Sequence, residues 1–290
     1  MSLPHHNRYD YVPIQARPDF DWPNGKRLAV YLGVNLEHFA FGEGLGAQLA
    51  PGGPQPDVLN YAWRDYGNRV GAWRLIDLLD QLDLPATVLV NSAMYDYAPE
   101  LMAAHAARGD EIAGHGRTNS EHHGTLSESE ERTLISQASD VLTKAHGCPP
   151  KGWLSPWIAE SDVTPDLLQE QGYAYTLNWC MDDQPVWMRT RSGPLLSIPY
   201  PQEINDIPSI MARKDTAETF ANMIIDTFDE MRDQAVAQPL VMGIALHPYI
   251  VGQPGRLRQL RRALSHICTY RDEIWITRAQ DISAFYRSMV

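Results

Sequence analysis

The sequence predicts an α/β fold in which a parallel sheet closes into a barrel, and three observations carry that expectation. Residues 28–34, 86–91 and 240–246 are short apolar runs with little polar alternation, the pattern of strands buried on both faces. The stretches between such runs carry apolar residues at helical spacing. Polar groups also follow the ends of the runs, as they do where parallel strands deliver side chains to one rim. Strand and helix alternate about seven or eight times, which means a parallel sheet, and at this length a barrel fits it best.

In chain order, residues 1–24 read as an extended arm packed on the body through Tyr9, Tyr11, Phe20 and Trp22, and residues 25–290 as one barrel domain. The first strand leads into Asn35-Leu36-Glu37-His38, followed by an irregular glycine- and proline-rich loop from Phe39 to about Tyr66. A loop this long is usually functional. Val70, Trp73, Ile76, Leu79 and Leu82 give the next helix one apolar face, and Pro85 separates it from the strand 86–91. Pro99 near the first turn and Gly109 at the end bound a helix over 99–108, the expected asymmetry. Ile112 and Ala113 make a third strand, and Ser127 with Glu130 has the spacing of a capping box opening a helix to about His146. A short strand is expected at 152–154, a helix from Thr164 to Gly172, and strands at 174–178 and 195–199. A helix from Asp215 carries Phe220, Met223, Ile224, Phe228 and Met231 on one face. The run 240–246 then delivers His247, and a basic helix from Pro254, a strand at 274–276 and a helix from Ala279 to Arg287 complete the chain.

Composition excludes several functions. A net charge of -12 opposes nucleic-acid or anionic-membrane surfaces, which need clustered Lys and Arg. No run reaches the roughly 18 apolar residues of a membrane span, and Met1 to Pro23 lacks the basic-then-apolar order of a signal peptide. A cytoplasmic location is the expectation. Cys148, Cys180 and Cys268 are few, odd in number and far apart, which suggests packing rather than a disulfide framework or a thiolate zinc site. Arg256, Arg258, Arg261 and Arg262 fall on one helix, as on a solvated or subunit-facing surface. Gly42-Glu43-Gly44-Leu45-Gly46 matches no phosphate-loop motif.

The chemistry centres on Glu111 to Gly124, where a short apolar run ends in His115 and a loop adds Arg117, Asn119, Glu121, His122 and His123. Further polar groups follow strand ends at Glu37-His38, Asn91, Asn178, Asp182-Asp183, Asn205-Asp206 and His247. One carboxylate, two or three histidines and several amides suit proton transfer to a water that attacks a carbonyl. There is no Gly-x-Ser-x-Gly elbow or catalytic-cysteine context. His122 and His123 read as solvated loop residues or as a third metal donor if the loop folds back. Trp153, Trp157, Trp179 and Trp187 either wall a pocket or belong to the core.

At these residues the chain resembles a family, the NodB-type polysaccharide deacetylases, and within it the allantoinase-like branch. The resemblance runs from about residue 20 onward and rests on 66–74, 182–185, 205–206 and 247–256. It implies a distorted seven- or eight-stranded (β/α) barrel, hydrolysis of non-peptide C–N bonds and a homo-oligomer. The family's Thr-Phe-Asp-Asp motif is similar to Asn35-Leu36-Glu37-His38, which puts Glu37 at the base position and His38 at a metal-ligand position. His-x-x-x-His is matched by His115 to Asn119, which keeps the first His and replaces the second. Arg-x-Pro-Tyr is matched by Leu154-Ser155-Pro156-Trp157, without the Arg that orients the base. His247 matches the histidine that acts as general acid.

The resulting expectation is a hydrolase acting on a small amide, ureide-like or N-acyl compound. Glu37, His247 and His115 are the catalytic candidates; Asn119, Arg117, Trp153, Asp182, Asp183 and Asn205 are the substrate-binding ones. Arg117 is the candidate replacement for the missing orienting Arg. The cofactor is none, or one divalent zinc-like metal on His38, His115 and Asn119, and zinc needs three well-placed donors. A small-molecule amide is the expected partner, with no nucleic acid or membrane. Two other readings stay open: a metal-dependent deacetylase of N-acetyl sugars or polysaccharides, and a non-catalytic binding protein on the same fold.

Overall fold

The computed structural model describes residues 5–42 and 46–289. The first four residues of the arm and the middle of the glycine-rich Gly42–Gly46 stretch lie outside the described residues. The strands are β1 (Leu28–Leu36), β2 (Thr87–Val90), β3 (Glu111–Gly114), β4 (Gly152–Trp153), β5 (Tyr175–Thr176), β6 (Val186–Thr190), β7 (Gly193–Ser197), β8 (Leu240–Leu246) and β9 (Trp275–Thr277). Their order is β6-β7-β5-β4-β3-β2-β1-β8, with β9 also paired to β1. Every pairing is parallel except β6 with β7. The sheet curls into a distorted, mostly parallel (β/α) half-barrel, and a single parallel bridge between Asn205 and Ala245 spans the gap beside β8.

Side-chain alternation sorts each strand into an inner and an outer row. On β1, Leu28, Val30, Leu32, Val34 and Leu36 pack outward against the helices, while Ala29 and Tyr31 join the barrel interior. The interior also holds Leu89, Ala113, Tyr175, Leu177, Leu196, Ile198, Val241 and Ala245. The same period continues past the strand ends, carrying Asn35 and Glu37, Asn91, His115, and His247 onto the inner side of the rim.

The helices are α1 (Val58–Tyr66), α2 (Ala72–Gln81), α3 (Met94–Tyr97), α4 (Pro99–Arg108), α5 (Glu128–His146), α6 (Thr164–Glu170), α7 (Ala217–Gln234), α8 (Pro248–Val251), α9 (Pro254–Cys268) and α10 (Ala279–Ser288). The capping box at Ser127 and Glu130 is formed, and Gly109 ends α4 in the left-handed conformation. Part of the stretch expected to be an irregular loop is helical: α1 starts behind Asp57, whose side chain accepts from the Asn60 amide. A π-helical turn, Gly67–Gly71, joins α1 to α2. Strand β6 was not expected. It is a half-exposed edge strand with weak apolar alternation, turning back through Arg191-Ser192.

The arm differs from expectation at one aromatic. Trp22 is buried, its indole donating to the Leu240 carbonyl at 3.0 Å, and Phe20 packs edge-on against it. Tyr11, by contrast, is 88% exposed and anchors nothing. Among the described residues no helix is long and apolar enough to cross a membrane.

Candidate active site

The rim at the strand C-termini surrounds a cavity of about 100 Å³ lined by Glu37, His115, Asn119, Trp157, Asn205 and His247, with Asn35, Tyr200 and Gln202 among its remaining walls. Glu37 is its centre. One carboxylate oxygen, Oε1, lies 3.5 Å from His115 Nε2 and 3.5 Å from His247 Nε2. The other accepts from the Tyr249 hydroxyl at 3.1 Å. Three groups separated by most of the chain thus meet within the width of one small molecule.

The backbone around Glu37 is stapled by amides. Asn91 Oδ1 accepts from the His38 backbone at 2.8 Å, and its Nδ2 donates to the His115 carbonyl, locking the ends of β1 and β3 together. Asn68, from the π-helical turn, donates to the Glu37 carbonyl at 2.9 Å. Asn178 likewise accepts from the Ser155 backbone and donates to its hydroxyl. These amides organise the rim. Gly116 turns the chain just after His115 at φ +70, where a Cβ would come 2.9 Å from the Pro156 ring.

The two histidines are held by different partners. His115 Nδ1 faces the Leu154 carbonyl at 2.7 Å; a carbonyl only accepts, so that nitrogen carries the proton. The Nε2 of the same ring is buried without a hydrogen-bond partner and faces Glu37 Oε1 at 3.5 Å. His247 Nδ1 lies 2.6 Å from Asp206, whose second oxygen accepts from the His247 backbone at 2.7 Å. Burial opposes the charge on His247, but Asp206 and Glu37 outweigh it and push its pKa up to about 10. Burial also opposes the charge on Glu37, yet His247 and His115 hold its pKa down at about 2. Burial pushes the Asp206 pKa up against the pull of His247, and near neutral pH the site pairs a His247 imidazolium with the Glu37 carboxylate.

Several sequence-predicted residues lie elsewhere. Arg117 pairs with Glu121 and Gln137 on the surface and does not line the cavity, so it cannot replace the missing orienting Arg. Trp153 is fully buried on the outer side of β4, against Tyr173 and His123. Strand alternation turns it away and gives the wall to Leu154, while Trp157 reaches the mouth, its indole donating to the Asn119 carbonyl at 2.9 Å. Asp182 is bound by Arg17 of the arm at 2.5 Å, and the Asp183 carbonyl accepts from Val241 at the opposite end of β8, so neither reaches the cavity. His123 is buried rather than solvated, and burial pushes its pKa down to about 3.

The proposed metal-ligand set does not assemble. The His38 ring stacks on Tyr97 with 4.3 Å between centroids and is not part of the cavity wall. Asn119 does line it, but its amide oxygen faces the Asn91 amide at 3.5 Å. Among the described residues no three His, Cys, Asp or Glu side chains are grouped to hold an ion. A zinc site of the kind the sequence motif implies is not fitted by these donors.

The polysaccharide deacetylase family model matches residues 59–176. A probable polysaccharide deacetylase of Pseudomonas aeruginosa superposes with a TM-score of 0.84 at 26% identity, covering 94% of this chain and 95% of the other. Residues 59–176 thus carry the match to a polysaccharide deacetylase domain, and the chain as a whole has the fold of NodB-type superfamily structures. Puue allantoinase is similar as well, with a TM-score of 0.83 at 25% identity, covering 97% and 98% of the two chains. A Helicobacter pylori peptidoglycan deacetylase is 24% identical over 87% of this chain and 94% of its own. The superfamily is thus one of deacetylases and amidohydrolases. The segment matching the family model contains His115 but neither Glu37 nor His247, so the third dimension is what joins the latter two to it.

Sequence reasoning assigned no role to Asp206, Tyr249, Asn68 or Asn35. Asp206 and Tyr249 stood in quoted motifs, but nothing in a linear motif tells which neighbour turns inward. For Asn35 a signal existed: it precedes Glu37 by two and so shares its side of the strand.

Proposed function

We propose that this protein hydrolyses a non-peptide C–N bond in a small amide, ureide-like or N-acyl compound by water activation on Glu37, without routing a step through a metal. The observation that carries the reading is the placement of Glu37 Oε1 at 3.5 Å from both His115 and His247. A water seated against Glu37 Oε1 and His115 Nε2 donates to the carboxylate, which directs a lone pair at the substrate carbonyl. As the C–O bond forms, Glu37 takes a proton from the water. Asn119 can offer an amide N–H to the developing oxyanion. His247, protonated at the start, donates to the departing nitrogen as the C–N bond breaks. Proton return from Glu37 to His247 then restores both groups.

The relatives' names support the reaction class, and the small cavity supports a small acyl group at its floor. The test is turnover of a panel of ureides, N-acyl amines and N-acetyl sugars, with and without exhaustive chelation. Activity should survive chelation and fall by roughly 100-fold or more in Glu37→Gln, with an unchanged circular dichroism spectrum. Loss on chelation with recovery on zinc would favour the metal-dependent sugar deacetylase instead. No turnover of any compound would favour a binding protein.

A further inference from the structure

The floor of the cavity carries unmatched hydrogen-bonding atoms that water activation does not use. Asn35, 1% exposed, lies one inward position below Glu37 on β1. Its Nδ2 donates to the Tyr200 hydroxyl at 2.9 Å and to the Leu246 carbonyl at 3.2 Å. A backbone carbonyl only accepts, so the amide orientation is fixed and Oδ1 is the atom left over. That oxygen is buried with no partner. On the same wall Gln202 Nε2 is a buried donor without a partner.

Buried polar atoms in native proteins are nearly always matched, and one left over beside a reaction site asks for its match from the ligand. Asn35 Oδ1 asks for an N–H or O–H. The cavity holds only a few heavy atoms, so the smaller end of a substrate is the end that reaches below Glu37. On the hydrolase reading, on which this inference rests, that end is the acyl side of the scissile bond. A methyl group there would leave Asn35 Oδ1 desolvated and unpaired. An amino group would satisfy it.

We propose that Asn35 is the specificity-determining residue of this site, and that it selects substrates whose scissile carbonyl carries a second nitrogen, carbamoyl or ureido, over those carrying an acetyl methyl. Tyr200 and the Leu246 carbonyl are the groups that hold it in the selecting orientation.

The experiment compares N-carbamoyl and N-acetyl derivatives of the same small amines, which differ by NH₂ against CH₃ at the acyl carbon. The carbamoyl compounds should show a kcat/KM at least roughly 10-fold higher, the usual consequence of leaving one buried acceptor unmatched. In Asn35→Leu the ratio should collapse toward one through loss of the carbamoyl rate. A wild-type ratio of one or below overturns the assignment, as does a ratio untouched in a folded Asn35→Leu protein. If Asn35→Leu does not fold, the wild-type ratio still decides. If the wild type cleaves neither series, the hydrolase reading fails, and Asn35 is then judged by binding: ligand-observed NMR with N-methylurea and N-methylacetamide should detect the urea in preference, and equal binding overturns the proposal.

Discussion

His247 lies between Asp206 and Glu37, and the charges around it decide what it can do. With its pKa pushed up to about 10 it is a cation across the neutral range, a state suited to protonating a leaving nitrogen. The acid form is lost as pH rises through that value, while the base form of Glu37, held at about 2, is lost only in strong acid. The kcat/KM profile of the free enzyme should therefore be a broad plateau with its alkaline limb set by His247. Asp206→Asn keeps an acceptor for Nδ1 but removes a charge, so that limb should move down by roughly 1–3 pH units. Rates measured from pH 5 to 11 would show it. A limb that stays in place would mean that Asp206 only positions the ring. That Glu37, His115 and His247 share one rim was readable from polar residues following strand ends, because alternation in a buried strand projects past its last residue; their selection among the other strand-end groups came from the family resemblance. Arg117 and Trp153 misled for the complementary reason: adjacency in sequence does not say which side of the chain a residue takes, and both take the outer side.

Among the elements, the π-helical turn Gly67–Gly71 and the short helix α8 form the scaffold behind Glu37. A Cβ at Gly67 would fall 2.7 Å from the Tyr249 backbone nitrogen, and one at Gly71 would overlap the Pro248 carbonyl. The turn thus seats its backbone directly on the segment that supplies Tyr249, whose hydroxyl reaches Glu37, while its own Asn68 holds the Glu37 carbonyl. Two sequence segments that resembled one branch of the family turn out to be two halves of a single packing contact. Gly71→Ala should cost roughly 1–3 kcal/mol through overpacking, read as a lower denaturation midpoint. It should also lower kcat, because relief of the clash displaces Tyr249 and Asn68 together. Stability lost with kcat unchanged would show the scaffold to be purely structural. The strongly apolar strands and the capped helices were legible because burial on both faces and cap chemistry leave local marks. Strand β6 and α1 were not, because one is a half-exposed edge and the other is embedded in a stretch rich in glycine and proline.

Over the whole molecule, the half-barrel has an edge at β6, and the N-terminal arm covers it. The Arg189 backbone N–H donates to the Arg8 carbonyl at 2.7 Å, which occupies part of the edge that would otherwise be free to pair with another chain. Arg8 binds both oxygens of the buried Asp166 at 2.8 Å, and Arg17 binds Asp182. None of residues 5–18 lines the cavity around Glu37. Deleting residues 1–18 should therefore separate stability from activity: a destabilisation of roughly 1–3 kcal/mol from the lost charged hydrogen bonds, more self-association by light scattering, and kcat/KM close to that of the full chain. The stability difference has a pH sign. Burial works against the Asp166 carboxylate, but Arg8 outweighs it and leaves its pKa below the ordinary aspartate value. This contribution is thus present above that ordinary value and lost as pH falls through the lower, folded one. Melting curves of the full and shortened chains should accordingly converge in acid and diverge toward neutrality. Equal melting temperatures at pH 7 would show that the arm lies on the barrel without holding it.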